Sequence, residues 1–488
     1  SATSQLFPPM KKHSKNKLAM PHRFFIFFLL CTCCIDSAYA QELTVDTPFS
    51  SNMVLQRDRR IRISGTAVPG RTLTVRFGTQ SDKACSASDG RWQAYLEPMA
   101  ADTTGKPLLV FDGQDSLRLD NVVVGDVWLA GGQSNMTFRA ASLLPDAYAR
   151  LRQQASPLIR SYNVGRVVEG GRTITEKDAP WTPFTPEAIG KWSAVATYFA
   201  AEISERYGIP IGILHCSHGA STVESWISPE YYAAHPATEA LQCPARPQTD
   251  VMHRVTNASQ LYTSMLAKVI EYPLRGVIWY QGESNGAWPN HYYESFSALI
   301  DCWREIQRQP ELPFLFAQLS CYDRKDARGN TTWAELREAQ RKVACSVPHT
   351  AMIVTCDVGE FKDIHPKDKR TVGHRFALAA RDIVYGEQVN ASGPVLRSAR
   401  FGDRRVTLRF RTKGALTARG PLSEFEICGA DSIYVPAQVV IRRKRIILCC
   451  DSIRQPQAAR YSWRNANTLC LYDRDGLPAS PFRITAER

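Results

Sequence analysis

From Glu42 to about Asp120 the chain alternates apolar and polar residues in short runs, such as Arg60-Ile61-Arg62-Ile63-Ser64 and Leu73-Thr74-Val75-Arg76-Phe77, punctuated by Gly and Pro. Period-two alternation predicts half-buried antiparallel strands. The middle of the chain changes character. Apolar runs at Val122 to Leu129, Ile211 to Cys216, Gly276 to Tyr280, Phe314 to Leu319 and Met352 to Cys356 predict strands buried on both faces, and helical stretches separate them. In Tyr292 to Gln307, for example, Tyr292, Phe296, Leu299, Ile300, Trp303 and Ile306 fall on one helical face. Strand and helix in alternation predict an α/β fold, a mostly parallel sheet covered by helices. Beyond about Val395 the period of two returns in Arg405-Val406-Thr407-Leu408-Arg409-Phe410 and in Val439 to Leu448. We therefore expect an N-terminal β domain over 41–120, an α/β domain over 121–390 and a C-terminal β segment over 391–488, the flanking parts being sandwich-like.

The first forty residues read as a removable leader rather than as structure. Lys11, Lys12, Lys15, Lys17 and Arg23 precede the apolar stretch Phe24 to Ile35, and Ala38-Tyr39-Ala40 is a small-x-small cleavage site. Translation is expected to start at Met20 and cleavage to follow Ala40. The stretch is too short to cross a bilayer, which needs roughly 20 apolar residues, so no stable membrane insertion is expected after cleavage. A lipoprotein reading on Cys33 or Cys34 competes with export to the periplasm or the medium.

The net charge falls from +13 to +9 without the leader, which carries five Lys or Arg and one Asp, and the remaining excess is scattered, with a denser cluster at Arg442-Arg443-Lys444-Arg445. Lying between Val439-Val440-Ile441 and Ile446-Ile447-Leu448, it predicts a basic hairpin turn, and no nucleic-acid partner is expected. Of 14 cysteines, Cys31, Cys33 and Cys34 fall in the leader, so an odd number remains and at least one thiol should stay free or pair between chains. Past the leader no CxxC pair or histidine cluster suggests a metal, and no cofactor is expected.

Ligands of open parallel sheets bind beyond the carboxyl ends of the strands. Four such places stand out: Gly131-Gly132-Gln133-Ser134-Asn135-Met136, Ser217-His218-Gly219-Ala220-Ser221, Gln281-Gly282-Glu283-Ser284-Asn285, and Asp357 leading to Asp363-Ile364-His365-Pro366. Together they would bring a hydroxyl, an imidazole, amide donors and carboxylates to one cleft. Ester hydrolysis uses that set: histidine accepts the serine proton and returns it to the leaving alcohol, while fixed donors hold the tetrahedral oxyanion. Backbone N–H groups of Ser134 and Gly219 are natural donors, and the side-chain amide of Gln281 or Asn285 is a candidate third.

Gly125-Asp126-Val127-Trp128-Leu129 running into Gly132-Gln133-Ser134-Asn135-Met136, then Trp279-Tyr280-Gln281-Gly282-Glu283-Ser284-Asn285, then Asp363-Ile364-His365-Pro366 and Lys369, resembles the sialate O-acetylesterase family of the SGNH-hydrolase superfamily. Further ordered matches, from Phe199 to Tyr207 through Arg337-Glu338-Ala339-Gln340 to Gly476-Leu477-Pro478, extend the resemblance over nearly all of the expected mature chain. It implies an SGNH-like sheet and a serine esterase, with Ser134 as nucleophile, His365 as base and acid, Asp363 as the third member, and Ser134, Gly219, Gln281 and Asn285 around the oxyanion. The implied substrate is an O-acetylated sialic acid or sialoglycan. Acetylated xylan or another polysaccharide is the alternative, and a non-catalytic glycan-binding protein a more distant one.

Two departures from the family pattern matter. The usual Asp-x-x-His is one residue shorter here, so a backbone carbonyl, giving a Ser-His dyad, or Asp357 competes with Asp363 for orienting His365. His218-Gly219-Ala220 stands where Trp-Gly-Gly is common. Each candidate also has a structural reading. Ser134 would be a turn serine, Asp363 the cap of a helix starting at Pro366, and Glu283 a buried organiser of its loop. His218, His291 and His374 would be ordinary histidines, and Trp279, Tyr280 and Trp288 a sugar platform or core.

Overall fold

One strand changes character midway and organises the rest. Ser116–Gly132 (β1) alternates between exposed and half-buried positions as far as Asn121 and is then buried at every residue from Val122 to Gly132. Its first part pairs antiparallel with Asp102–Phe111, and Val54–Gln56 lies parallel to it at Val123 to Gly125. Its second part enters a parallel sheet and is covered on both faces, which is why the apolar residues run without interruption there. The computed structural model describes residues 42–168, 174–242, 255–325 and 329–486; the expected leader, 1–40, lies outside them.

Six further strands complete the sheet: Ile159–Asn163 (β2), Ala179–Pro183 (β3), Ile211–Ser217 (β4), Gly276–Tyr280 (β5), Phe314–Ala317 (β6) and Thr350–Ile353 (β7). Their order is β3-β2-β4-β1-β5-β6-β7. All neighbours are parallel except β3, an antiparallel edge strand on β2. The expected strands all form, with β6 and β7 ending earlier than their apolar runs. The polar segment Ile159-Arg160-Ser161-Tyr162 gave no strand signal, yet all four residues are buried. Arg160 is tolerated in β2 because its guanidinium donates to the carbonyls of Asn52 and Asn121 and to Asn121 Oδ1.

Helices Ala194–Tyr207 (α1), Tyr292–Gln307 (α2), Thr332–Ser346 (α3) and Lys369–Ile383 (α4) cover the sheet. Strand alternation sorts the faces. Trp128, Ala130, Ile278 and Tyr280 pack with Phe199 of α1 and Phe376 of α4, whereas Val127, Leu129, Val277 and Trp279 pack with Phe296 and Trp303 of α2 and Leu336 of α3. Helix α1 begins at Ser193, whose Oγ accepts the Ala196 N–H, and ends at Gly208 with φ 64°.

A charge sits inside β1. The fully buried Asp126 carboxylate accepts from Arg57 Nε at 2.8 Å and Nη2 at 3.1 Å, from Gln56 Nε2 at 3.2 Å and from Tyr385 Oη at 2.9 Å. Near the C-terminus, two four-stranded sheets share one apolar core that includes Val406, Leu408, Phe425, Ile446, Tyr461 and Phe482. The basic cluster forms the expected hairpin, Gln438–Arg442 pairing antiparallel with Arg445–Cys449. The described cysteines are all unpaired, and no helix among the described residues is long and apolar enough to cross a membrane.

Candidate active site

Parallel register places Ser217 of β4 and Tyr280 of β5 opposite Gly132 of β1, so three strands end level with one another. The Ser134, Gly219 and Gln281 segments all leave from this row. Gly132 turns the chain at φ +129°, where a Cβ would lie 2.2 Å from the Tyr280 carbonyl oxygen; only glycine fits. The turn is stitched to both neighbours: Gln133 N–H donates to Tyr280 O at 2.9 Å, and His218 N–H donates to Gly132 O at 3.0 Å.

Ser134 opens a four-residue helix, Ser134–Thr137. Its N–H and that of Gly219 have no hydrogen-bond partner among the described residues. A Cβ on Gly219 would lie 3.5 Å from Ser134 Cβ, an ordinary contact distance, which makes the two segments direct neighbours. Ala220 beside it adopts φ 58°, a left-handed conformation that glycine takes without cost and alanine does not. The departure from Trp-Gly-Gly falls on that residue and on His218.

The two candidate amides are otherwise occupied. Gln281 Nε2 donates to Ser221 O at 3.0 Å and to Asn285 Oδ1 at 2.7 Å, while its Oε1 accepts from Tyr292 Oη at 2.9 Å. Asn285 Oδ1 also accepts the Val223 N–H at 3.0 Å, and its Nδ2 faces both oxygens of Glu224. Both side chains are buried and clamp the loop that carries Gly219. Service as an oxyanion donor would require one of these bonds to open.

His365 reaches the site from an irregular loop. Asn135, next to Ser134, donates from Nδ2 to the carbonyl of Ile364 at 3.0 Å, which binds the histidine loop to the serine turn. No hydrogen bond joins Ser134 Oγ to His365 among the described residues; such bonds commonly tighten only with substrate bound. Asp363 Oδ1 lies 3.8 Å from His365 Nδ1, beyond hydrogen-bond reach, and instead accepts the His365 backbone N–H at 2.8 Å. Its Oδ2 accepts from Lys367 Nζ at 2.9 Å. These contacts, the backbone bond foremost, hold its carboxyl below the usual range. Asp363 does not cap the following helix: α4 starts at Lys369, and Asp368 accepts the Thr371 N–H. Asp357 is instead paired with Arg375, whose Nη1 and Nη2 each donate to it at 2.6 Å.

Burial, with the Lys369 charge next in importance, lowers the His365 pKa from its ordinary value, against the pull of Asp363. Lys369 itself is pushed down to about 7 by burial, opposed by the Glu283 carboxylate. Glu283, raised by burial, accepts from Asn135 Nδ2, so its side chain is joined to the serine turn. Asn135 and Lys369 were not singled out for chemistry from the sequence; a polar residue beside Ser134 and a lysine four residues after His365 were the available signals. Trp279 and Tyr280 are core residues, and Trp288 is 39% exposed.

Residues 124–382 match the family model described as carbohydrate esterase, sialic acid-specific acetylesterase. The sialate O-acetylesterase of Homo sapiens is 30% identical over 483 residues, spanning 89% of this chain and 91% of its own length. That of Mus musculus is 30% identical over 410 residues, spanning 70% and 74%. The chain belongs to this family. It is thus a carboxylic ester hydrolase of the carbohydrate esterase group. Among solved structures, a carbohydrate acetylesterase from Xanthomonas citri superposes with a TM-score of 0.81 at 32% identity, over 91% of this chain and all of the other. The agreement extends beyond the esterase sheet to the flanking β segments, because the matched span is nearly the whole chain.

Proposed function

We propose that this carbohydrate esterase removes O-acetyl groups from sialic acids through an acyl-serine intermediate. Ser134 Oγ attacks the acetyl carbonyl as His365 takes its proton; the imidazolium then protonates the departing sugar oxygen, and water repeats the sequence to release acetate. The N–H groups of Ser134 and Gly219 receive the oxyanion, each such donor contributing about 3 kcal/mol. Gln281 and Asn285 hold the Gly219 loop in place, and Gln281 joins as a donor when a bond to it opens. Asp363 orients His365, principally through the backbone. The observation that carries this reading is the Asn135 to Ile364 hydrogen bond, which brings the histidine loop to the serine turn at the carboxyl edge of the sheet.

The test is acetate release from O-acetylated sialoglycan by the wild type and Ser134→Ala. Loss in the variant is expected, and equal rates would overturn the reading. Acetylated xylan is the comparison substrate, since the similar Xanthomonas citri protein is described more broadly as a carbohydrate acetylesterase; faster release from xylan would move the substrate assignment there. Export is part of the proposal, and a secreted or periplasmic product beginning at Gln41 is expected by intact mass.

A further inference from the structure

Behind Ser134 and His365 lies a buried polar cluster that the acyl-transfer steps do not use. Asn135, at its centre, is fully buried. Its Nδ2 donates to Glu283 Oε1 and to the Ile364 carbonyl, and its Oδ1 accepts from Lys369 Nζ. Lys369 is 1% exposed, with its ammonium 4.8 Å from the Phe138 ring centroid and 5.7 Å from that of Tyr280. No carboxylate forms an ion pair with it among the described residues, and its hydrogen-bonded link to Glu283 runs through Asn135. Glu283 Oε2 has no hydrogen-bond partner among the described residues. Burying two ionisable groups this way is unfavourable and calls for a function.

An asparagine amide can be turned end for end, exchanging donor and acceptor. Here it cannot. The lysine head group only donates, so it must face Oδ1; the Ile364 carbonyl and the Glu283 carboxylate accept, so they must face Nδ2. We propose that Lys369 is a positioning residue of the esterase: by fixing the Asn135 amide it draws Ile364, and with it His365, against the Ser134 turn. The inference rests on the reading of Ser134 and His365 as nucleophile and base.

The same ammonium acts on His365 through its charge. Lys369 and Lys367 both disfavour the imidazolium, and Asp363 favours it. Around Lys369 itself, Glu283, Asp363 and Glu360 favour the charged form and Lys367 opposes it. Removing the Lys369 charge should therefore let His365 protonate at higher pH.

The test compares Lys369→Met, Asn135→Ala and the double variant, all checked for folding by circular dichroism. Each single variant is expected to lose about a hundredfold in kcat, the cost of a misplaced catalytic group, with KM little changed. The double variant should be no worse than the poorer single one, because both break the same link. Lys369→Met should also move the acid limb of kcat/KM to higher pH. Wild-type kcat and an unmoved limb in Lys369→Met, or multiplicative losses in the double variant, would overturn the inference. Should Lys369→Met not fold, Glu283→Gln is the substitute: it removes the carboxylate that keeps Lys369 charged, so the limb should again rise, and an unmoved limb overturns the inference. Ser134→Ala in the same assay separates the two claims, since activity surviving there overturns the reading of the site itself.

Discussion

The two halves of the site are built on different principles. Ser134 follows directly from a strand buried on both faces and locked in register with two others, and its turn allows one residue type at Gly132. His365 sits on a loop outside the sheet, its side chain 38% exposed, attached by the Asn135 bond and by the local turn that Asp363 closes. The position of the proposed nucleophile is thus a property of the sheet, while that of the proposed base depends on a few polar side chains. A loop tethered that way opens at lower free energy than the core. This suits the proposed role of His365, carrying a proton from serine to leaving group.

The comparison is open to four measurements. The largest effect is expected at Gly132→Ala, where the new Cβ would meet the Tyr280 carbonyl at 2.2 Å. It should destabilise the fold by more than about 3 kcal/mol in chemical denaturation, and an unchanged midpoint would show that the turn is not a rigid anchor. Next comes Asp363→Asn, which keeps an acceptor for the His365 N–H and removes only the charge. Its kcat should fall no more than about tenfold, as for a half-exposed ion pair; a loss near four orders of magnitude would instead make Asp363 a full triad member. The third concerns pH. Because the His365 pKa is lowered, kcat/KM should hold as pH falls past the ordinary histidine value of 6.5 and decline only below it. An acid limb above 6.5 would contradict the effect of partial burial on His365. The smallest is Ala220→Gly, which should raise stability by about 0.5 to 1 kcal/mol by relieving the left-handed φ, read as an increase in Tm.

The same contrast explains what could be read before the structure. The strand-end segments announce themselves, because burial on two faces demands an uninterrupted apolar run and a sharp exit demands glycine. Strand β5, Gly276–Tyr280, was legible to the residue. Strand β2 was not: its arginine is satisfied by carbonyls more than thirty-five residues away in sequence, at Asn52 and Asn121, and no local pattern encodes such partners. The candidate site divides likewise. Ser134 and Gly219 belong to the sheet edge and were placed from their motifs. The commitment of Gln281 to Ser221 and Asn285, of Asp357 to Arg375, and of Asn135 to three other segments depends on tertiary contacts between residues with equally plausible alternatives. Motifs identify candidate chemistry, but they do not assign hydrogen-bond partners.

The carboxylate of Asp126 has a consequence for anyone wishing to cut the molecule down. It belongs to the esterase sheet, yet two of its partners, Gln56 and Arg57, come from the chain's N-terminal β part. An expression fragment beginning near residue 121 would take away the hydrogen-bonded Arg57 and leave Arg275, 4.0 Å away, as the cation facing that buried charge, and would strip Val54–Gln56 from the side of the central strand. Fusions and minimal catalytic fragments should therefore keep the β segment that precedes the sheet.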